Sequence, residues 1–189
     1  MGRSEDPVLQ ARVVGASGEL ADAIRLALVA DGVRLVDAPS HQRADGIDVL
    51  IFVASDAGTG PIATTSAADF SAHVGGSLSE AFKALQSGVA SIRASEGGGS
   101  VVLVAPPAGS HRAFDTLRQG LRLMTKAAAL ELGPEHIRVN VVLPGGAETP
   151  LGRPCTPLEV AHAVAFAASA RSVFMTGADL VVDGGVLAL

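Results

Sequence analysis

Six short, almost wholly apolar runs, at 12–14, 33–36, 47–53, 101–104, 137–143 and 179–182, alternate with stretches whose apolar residues recur every three or four positions. A strand apolar on both faces must be covered on both. A helix between successive strands supplies that cover and brings the chain back to begin the next strand in the same direction. The pattern predicts an α/β fold, a Rossmann-like doubly wound parallel sheet. Its helices are expected at 67–92, 114–132 and 157–170 and, before the second strand, along Leu20, Ala23, Ile24, Ala27 and Leu28. Punctuation agrees: Asp31-Gly32 and Gly133-Pro134 end helices, and Gly97-Gly98-Gly99 precedes a strand.

The 189 residues suffice for one substantial core and one domain, expected over 11–189, with 1–10 a flexible N-terminus and 54–66 and 105–113 as further flexible pieces. Hydrophobic residues make up 48% of the chain. No uncharged apolar run reaches the roughly 18–20 residues a membrane span needs. The opening MGRSEDPVLQ has no apolar core of a secretory signal, so the expected place is the cytoplasm. Fourteen basic against nineteen acidic residues, a net charge of −5, leave no footprint for nucleic acid. A single cysteine, Cys155, excludes an internal disulfide and any Cys-rich metal site.

Gly15-Ala16-Ser17-Gly18 follows the first strand and opens a helix. Such a turn lets a pyrophosphate approach backbone N–H groups and the positive end of the helix dipole. Asp37 follows Gly18 at the distance where a carboxylate accepts from a ribose 2′-hydroxyl, which favours NAD over NADP. Glu19 works against the anion. The simpler reading is a tight βα turn with an ordinary acidic residue at a strand end.

Tyr and Trp are absent from the chain, so no tyrosyl general acid exists anywhere in it. Ser110, His111 and Asp115 are close in sequence, but neighbouring residues point apart. They read as loop and helix-capping groups rather than as a nucleophilic triad. His41, His73, His136 and His162 have no metal-ligand spacing.

The C-terminal third carries a more specific set in order: Ala129-Leu130-Glu131-Leu132-Gly133-Pro134, Ile137-Arg138-Val139-Asn140, Pro144-Gly145, Glu148-Thr149-Pro150, Thr156-Pro157-Leu158-Glu159-Val160, Thr176-Gly177 and Val181-Val182-Asp183-Gly184-Gly185. With Ile47-Asp48-Val49-Leu50 and the helix around 78–82, this set resembles the short-chain dehydrogenases/reductases (SDRs) over most of 12–189. The resemblance implies an NAD or NADP site at Gly15, Ser17, Gly18, Asp37, Pro144, Gly145 and Thr149. It also implies a Tyr and, four residues later, a Lys that lowers the Tyr pKa. Those positions hold Phe114 and Arg118. The substrate-orienting Ser falls near Ala105 or Pro106, Ser77 stands in the place of the family's Asn, and Phe52-Val53-Ala54-Ser55 replaces Asn-Asn-Ala-Gly. A strand–helix unit after Asp37 and a substrate lid after Pro150 are missing relative to the family. Arg at the Lys position is also similar to the halohydrin dehalogenases, which however keep the Ser and Tyr.

These substitutions predict a catalytically degenerate SDR-fold protein, a homo-oligomer or a hetero-oligomer with an active SDR subunit, which binds NAD or NADP weakly or not at all. The alternatives are an NAD(P)-dependent oxidoreductase with an atypical or partner-completed site and a nicotinamide-nucleotide sensor without chemistry. Association is expected because Val74, Leu78, Ala81, Leu85, Leu117, Leu121, Met124 and Ala128 furnish more apolar helix surface than a small sheet covers, with Leu187-Ala188-Leu189 as a second contact.

Overall fold

A computed structural model describes residues 8–37, 46–55, 61, 63–95, 97–108 and 112–188. Its strands are β1 (Gln10–Gly15), β2 (Arg34–Leu35), β3 (Val49–Val53), β4 (Gly99–Val104), β5 (Ile137–Pro144) and β6 (Asp179–Val182). Its α-helices are α1 (Glu19–Ala30), α2 (Ala67–Phe70), α3 (Gly76–Arg93), α4 (Arg112–Leu132) and α5 (Pro157–Ala168). All strands are parallel in the order β2-β1-β3-β4-β5-β6. The expected doubly wound sheet is therefore present, and its order reverses between β1 and β3.

Residue parity along the strands sorts the core into two layers. Leu50, Phe52, Val101, Leu103, Val139 and Val141 face α3 and α4, whereas Val49, Ile51, Val53, Val102, Val104 and Val142 face α1 and α5. Each fully buried Val, Leu or Ile stabilises by about 1.5–3 kcal/mol, so aliphatic side chains sustain the sheet with little aromatic help. Arg12 breaks the apolar pattern inside β1: it is fully buried, and its Nη2 donates to Ser87 Oγ on α3 at 3.1 Å.

Several boundaries differ from the sequence expectation. The second strand shrinks to two residues at the sheet edge, because Val33 N–H bonds back to Leu28 O of α1 and only one neighbouring strand is available to hold the rest. Residues 8–10 belong to the fold rather than to a flexible tail. Leu9 O accepts from Arg34 N–H, and Gln10 N–H donates to Asp48 Oδ2 at 2.7 Å. The segment 105–108 is likewise tied down, with Ala105 N–H on Val142 O and Ala108 N–H on Pro144 O. The remainder of the segments 54–66 and 105–113 lies in part outside the described residues.

The long central helix runs from Ala67 to Arg93 but is interrupted by a π turn at Ser71–Gly75, which apolar spacing does not reveal. Ser66 caps its start by accepting from Asp69 N–H. The last helix stops at Ala168 rather than 170. Ser169 is extended there and its hydroxyl caps the following 3-10 turn, Ala170–Ser172.

The apolar residues expected as surplus surface are instead the core stripes of their helices. Val74, Ala81, Leu85, Leu117, Leu121 and Ala128 are buried, with Leu78 and Met124 packed against them. Their four–three–four spacing marks a single face of each helix. Among the described residues the large apolar side chains exposed on these helices are Phe82, Leu123 and Leu130, and a groove of about 380 Å³ runs between α3 and α4 past Phe82, Leu85, Val89 and Ala128. No helix among the described residues is long and apolar enough to cross a membrane.

Candidate functional site

The crevice of a doubly wound sheet lies beyond the carboxyl ends of its strands, where the strand order reverses. Here that point is the junction of Gly15 and Val53, which face each other in the β1–β3 register. Gly15 has φ +98, and a Cβ on it would collide with Val53 O, so the glycine is required by the neighbouring strand itself. Gly18 has φ +118 and open space around the position of a Cβ. It precedes α1 without a side-chain cap, and Ser17 and Gly18 are exposed. The first turn of α1 thus offers unpaired N–H groups to solvent, though Glu19 and Asp22 place negative charge beside them. Continuing the β1–β2 register puts Asp37 opposite Val13, exposed and two residues short of the glycine turn.

Elsewhere along this edge the backbone donors are taken. Ala16 N–H binds Val53 O, Ala54 N–H binds Val104 O, Ala105 N–H binds Val142 O and Gly145 N–H binds Val182 O, all at 2.8–3.0 Å. β1, β3, β4 and β5 each leave the sheet only after donating once more to a neighbour. Among the described residues, the glycine turn leaves the first N–H groups of α1 without a side-chain cap at the β1 end.

Over β4 and β5 the arrangement is tighter. Arg118, in the second turn of α4, is only 7% exposed. Its Nη1 donates to Pro106 O at 2.6 Å and to Pro144 O at 2.8 Å. Burial lowers the guanidinium pKa, with Asp115 and Asp183 opposing that shift and Arg122 adding to it. Pro144 O also accepts from Ala108 N–H at 3.1 Å. A Cβ on Gly146 would collide with Ala108 O, and one on Gly145 would come within 2.5 Å of Asp183 Cα. Thr149 donates its hydroxyl to Arg153 O at 2.6 Å.

Of the positions expected to carry chemistry, Ala105 and Pro106 are buried and offer no side-chain donor, and Ser77 is half-buried in the first turn of α3. Phe114 lies in the first turn of α4, and its side chain is outside the described residues, as are Ser110 and His111. The structure brings Pro106, Arg118 and Pro144 together in one cluster and leaves Gly15, Ser17, Gly18 and Asp37 on the far side of the order reversal.

Sequence reasoning missed Ala108, Gly146 and Asp183. Asp183 is buried and accepts from Gly185 N–H and Leu187 N–H at 2.8 Å, which shapes the turn beneath Gly145. Only the Asp-Gly-Gly turn signal hinted at this role.

A third feature borders the edge. Thr156 and Glu159 form a reciprocal capping box at the start of α5, and Arg153 grips Glu159 through two bonds of 2.9 and 2.6 Å. Hydrogen bonds from Arg153, then from Thr156, pull the Glu159 carboxyl from 4.5 to about 2. Cys155 beside them has its thiol pKa raised by burial, as expected of a passive residue rather than a nucleophile. Among the described residues no group of three acidic, His or Cys side chains is placed to hold a metal.

The sequence model of the enoyl-(acyl carrier protein) reductase family matches residues 30–151 and 145–187. Among curated proteins, trans-4-hydroxycyclohexanecarboxylate dehydrogenase of Sinomonas cyclohexanicum is 37% identical over 106 residues, 47% of this chain and 41% of that protein. The 3-alpha-(or 20-beta)-hydroxysteroid dehydrogenase of Mycobacterium tuberculosis is 41% identical over 88 residues, 40% of this chain and 34% of its own length. The matched regions thus span about two fifths or less of these relatives.

Among solved structures, an oxidoreductase of the short chain dehydrogenase/reductase family from Burkholderia thailandensis superposes with a TM-score of 0.82 at 24% identity, covering 97% of this chain and 94% of the other. A short chain dehydrogenase from Leptospira borgpetersenii with bound NAD+ gives 0.79 at 20% identity, covering 94% and 92%. These likenesses establish the shared fold.

Proposed function

This chain belongs to the short-chain dehydrogenase/reductase family, and from that premise we propose that it is a catalytically degenerate member whose remaining role is association, as a homo-oligomer or as the inactive partner of an active SDR subunit. One observation carries the reading: the chain contains no tyrosine, and Phe114 and Arg118 are the residues that the resemblance sets against the family's Tyr and Lys. Phenylalanine has no proton to exchange. Arg118 directs Nη1 at two backbone carbonyls. Ala105 and Pro106 give no hydroxyl to orient a substrate, so the acid–base part of catalysis has no source among these side chains. The short stretches after Asp37 and Pro150, where the family has a strand–helix unit and a lid, support the same reading.

Association is supported by the groove between α3 and α4, which Phe82 borders with its side chain exposed, and by Leu123 and Leu130 exposed elsewhere on α4. Cofactor binding is weak or absent in this reading, because Glu19 and Asp22 face any anion on the glycine turn.

A second reading, an NAD(P)-dependent oxidoreductase with an atypical or partner-completed site, is favoured by the curated relatives, which are named as dehydrogenases of a hydroxycyclohexanecarboxylate and of hydroxysteroids. A turnover screen of the chain alone with both nicotinamide cofactors, cyclic alcohols and their ketones separates the degenerate reading from a self-contained atypical site. The expected result is no turnover by the chain alone. A rate on the order of 1 per second would overturn the degenerate reading. Light scattering, alone and with a tyrosine-bearing family member, tests association, and a stable monomer in both samples would refute it.

A further inference from the structure

Arg118 is a buried cation that plays no part in the proposed role, and its contacts are confined to one half of the crevice. Through Nη1 it ties the carbonyl of Pro106, in the segment leaving β4, to that of Pro144, the last residue of β5. Ala108 N–H reinforces the same Pro144 carbonyl, and Gly146 rests against Ala108 O with no room for a side chain. These contacts bring the two loops together beyond the carboxyl ends of β4 and β5.

A dinucleotide lies across the crevice of such a sheet with one mononucleotide half on each side of the order reversal. The glycine turn is the open side, so the other half would lie over β4 and β5. We propose that Arg118 is a latch that seals the β4–β5 half of the crevice and excludes the nicotinamide-riboside half of a dinucleotide.

The chemistry suits a latch. Hydrogen bonds from a charged donor to buried carbonyls are stronger than neutral ones. Arginine stays protonated despite the burial that lowers its pKa. A ligand entering here must break both bonds and leave a buried guanidinium and two carbonyls to find new partners. The residues present therefore do not fit the nicotinamide half. They leave the glycine turn untouched.

The test uses the full chain, Arg118→Met, which keeps the length of the side chain without its donors, and Arg118→Lys, which keeps one charged donor. Hydrogen exchange reads the Ala108 amide, and saturation transfer from protein to NAD+ reports separately on the nicotinamide and adenine ring protons. In the unaltered chain the nicotinamide protons receive no transfer. In Arg118→Met the Ala108 amide exchanges roughly tenfold faster, the equivalent of one lost hydrogen bond, and the nicotinamide protons receive transfer.

Arg118→Lys, the milder change, gives intermediate exchange and keeps the test usable if Arg118→Met does not fold. Transfer to nicotinamide in the unaltered chain would overturn the proposal, as would unchanged Ala108 exchange in every folded variant. So would faster exchange in Arg118→Met with no transfer. The latch builds on the degenerate reading but fails separately from it: equal Ala108 exchange sinks the latch alone, whereas turnover by the unaltered chain sinks the degenerate reading.

Discussion

At the end of β1 the chain turns through Gly15 and Gly18 and leaves the first N–H groups of α1 facing solvent, whereas at the ends of β4 and β5 the departing loops bond to each other and to Arg118. Both regions begin alike, with a strand donating one last N–H to its neighbour. They diverge because the glycines at β1 turn the chain sharply away from the sheet, while Pro106 and Pro107 after β4 keep it extended beside the loop from β5. The comparison teaches that a crevice in a doubly wound sheet stays open only where the backbone groups beyond the strands lack partners within the chain. A retained glycine turn says nothing about the other half.

The largest expected effect comes from Gly15→Ala. The new Cβ meets Val53 O at a positive φ, so strain and overpacking together should cost roughly 3 kcal/mol or more, read as a fall in the urea midpoint. Gly18→Ala meets no atom, so only the strain of its backbone conformation remains, and it should cost roughly 1–3 kcal/mol, less than Gly15→Ala. Equal losses at the two sites would break the claim that the β1–β3 junction, rather than a ligand, dictates the first glycine.

On the closed side, Gly146→Ala should cost roughly 1–3 kcal/mol by forcing Ala108 away, and it should speed exchange of the Ala108 amide. A neutral substitution would mean that the two loops do not meet.

The bridge at α5 gives a smaller, pH-dependent effect. Glu159 has its pKa lowered in the folded state, so its contribution is full above the ordinary carboxyl value of 4.5 and is lost as the pH falls through about 2. A carboxyl NMR titration should place its midpoint near that lower value, and Arg153→Ala should return it toward the ordinary one. A midpoint already near 4.5 in the unaltered chain would remove Arg153 as a clamp.

The smallest effect is expected at Asp37, exposed at the open end. Asp37→Ala should reduce any NAD+ affinity by about tenfold or less, the scale of one exposed polar contact. Submicromolar NAD+ binding by calorimetry, unaffected by this substitution, would refute both the weak site and the residue's assignment to it.

The sheet and its covering helices were legible in the chain because strands buried on both faces read as nearly continuous apolar runs: 49–53 and 101–104 are wholly apolar, and 137–143 is broken only by Arg138 and Asn140. The edge strand was overestimated, since one neighbour and one hydrogen-bonded side hold only Arg34 and Leu35. The π turn was invisible because inserting one backbone step leaves the apolar stripe at Val74, Leu78 and Ala81 nearly in phase. The same stripe was mistaken for surplus surface. Counting apolar residues on a helix does not say which of them the sheet reaches, and Phe82, Leu123 and Leu130 emerged as the exposed set only from packing.

The amino-acid sequence by itself determined the parallel sheet, the glycine turn after the first strand and the absence of any tyrosyl proton donor, because periodicity, turn chemistry and side-chain identity are local properties. Tertiary structure alone decided that Arg118 would bind Pro106 O and Pro144 O rather than a carboxylate or a ligand, and that Ala108 and Gly146 would meet. Those contacts join residues that lie 12 and 26 positions from the arginine. A backbone carbonyl leaves no mark in the sequence, so only the folded chain shows which ones are within a guanidinium's reach.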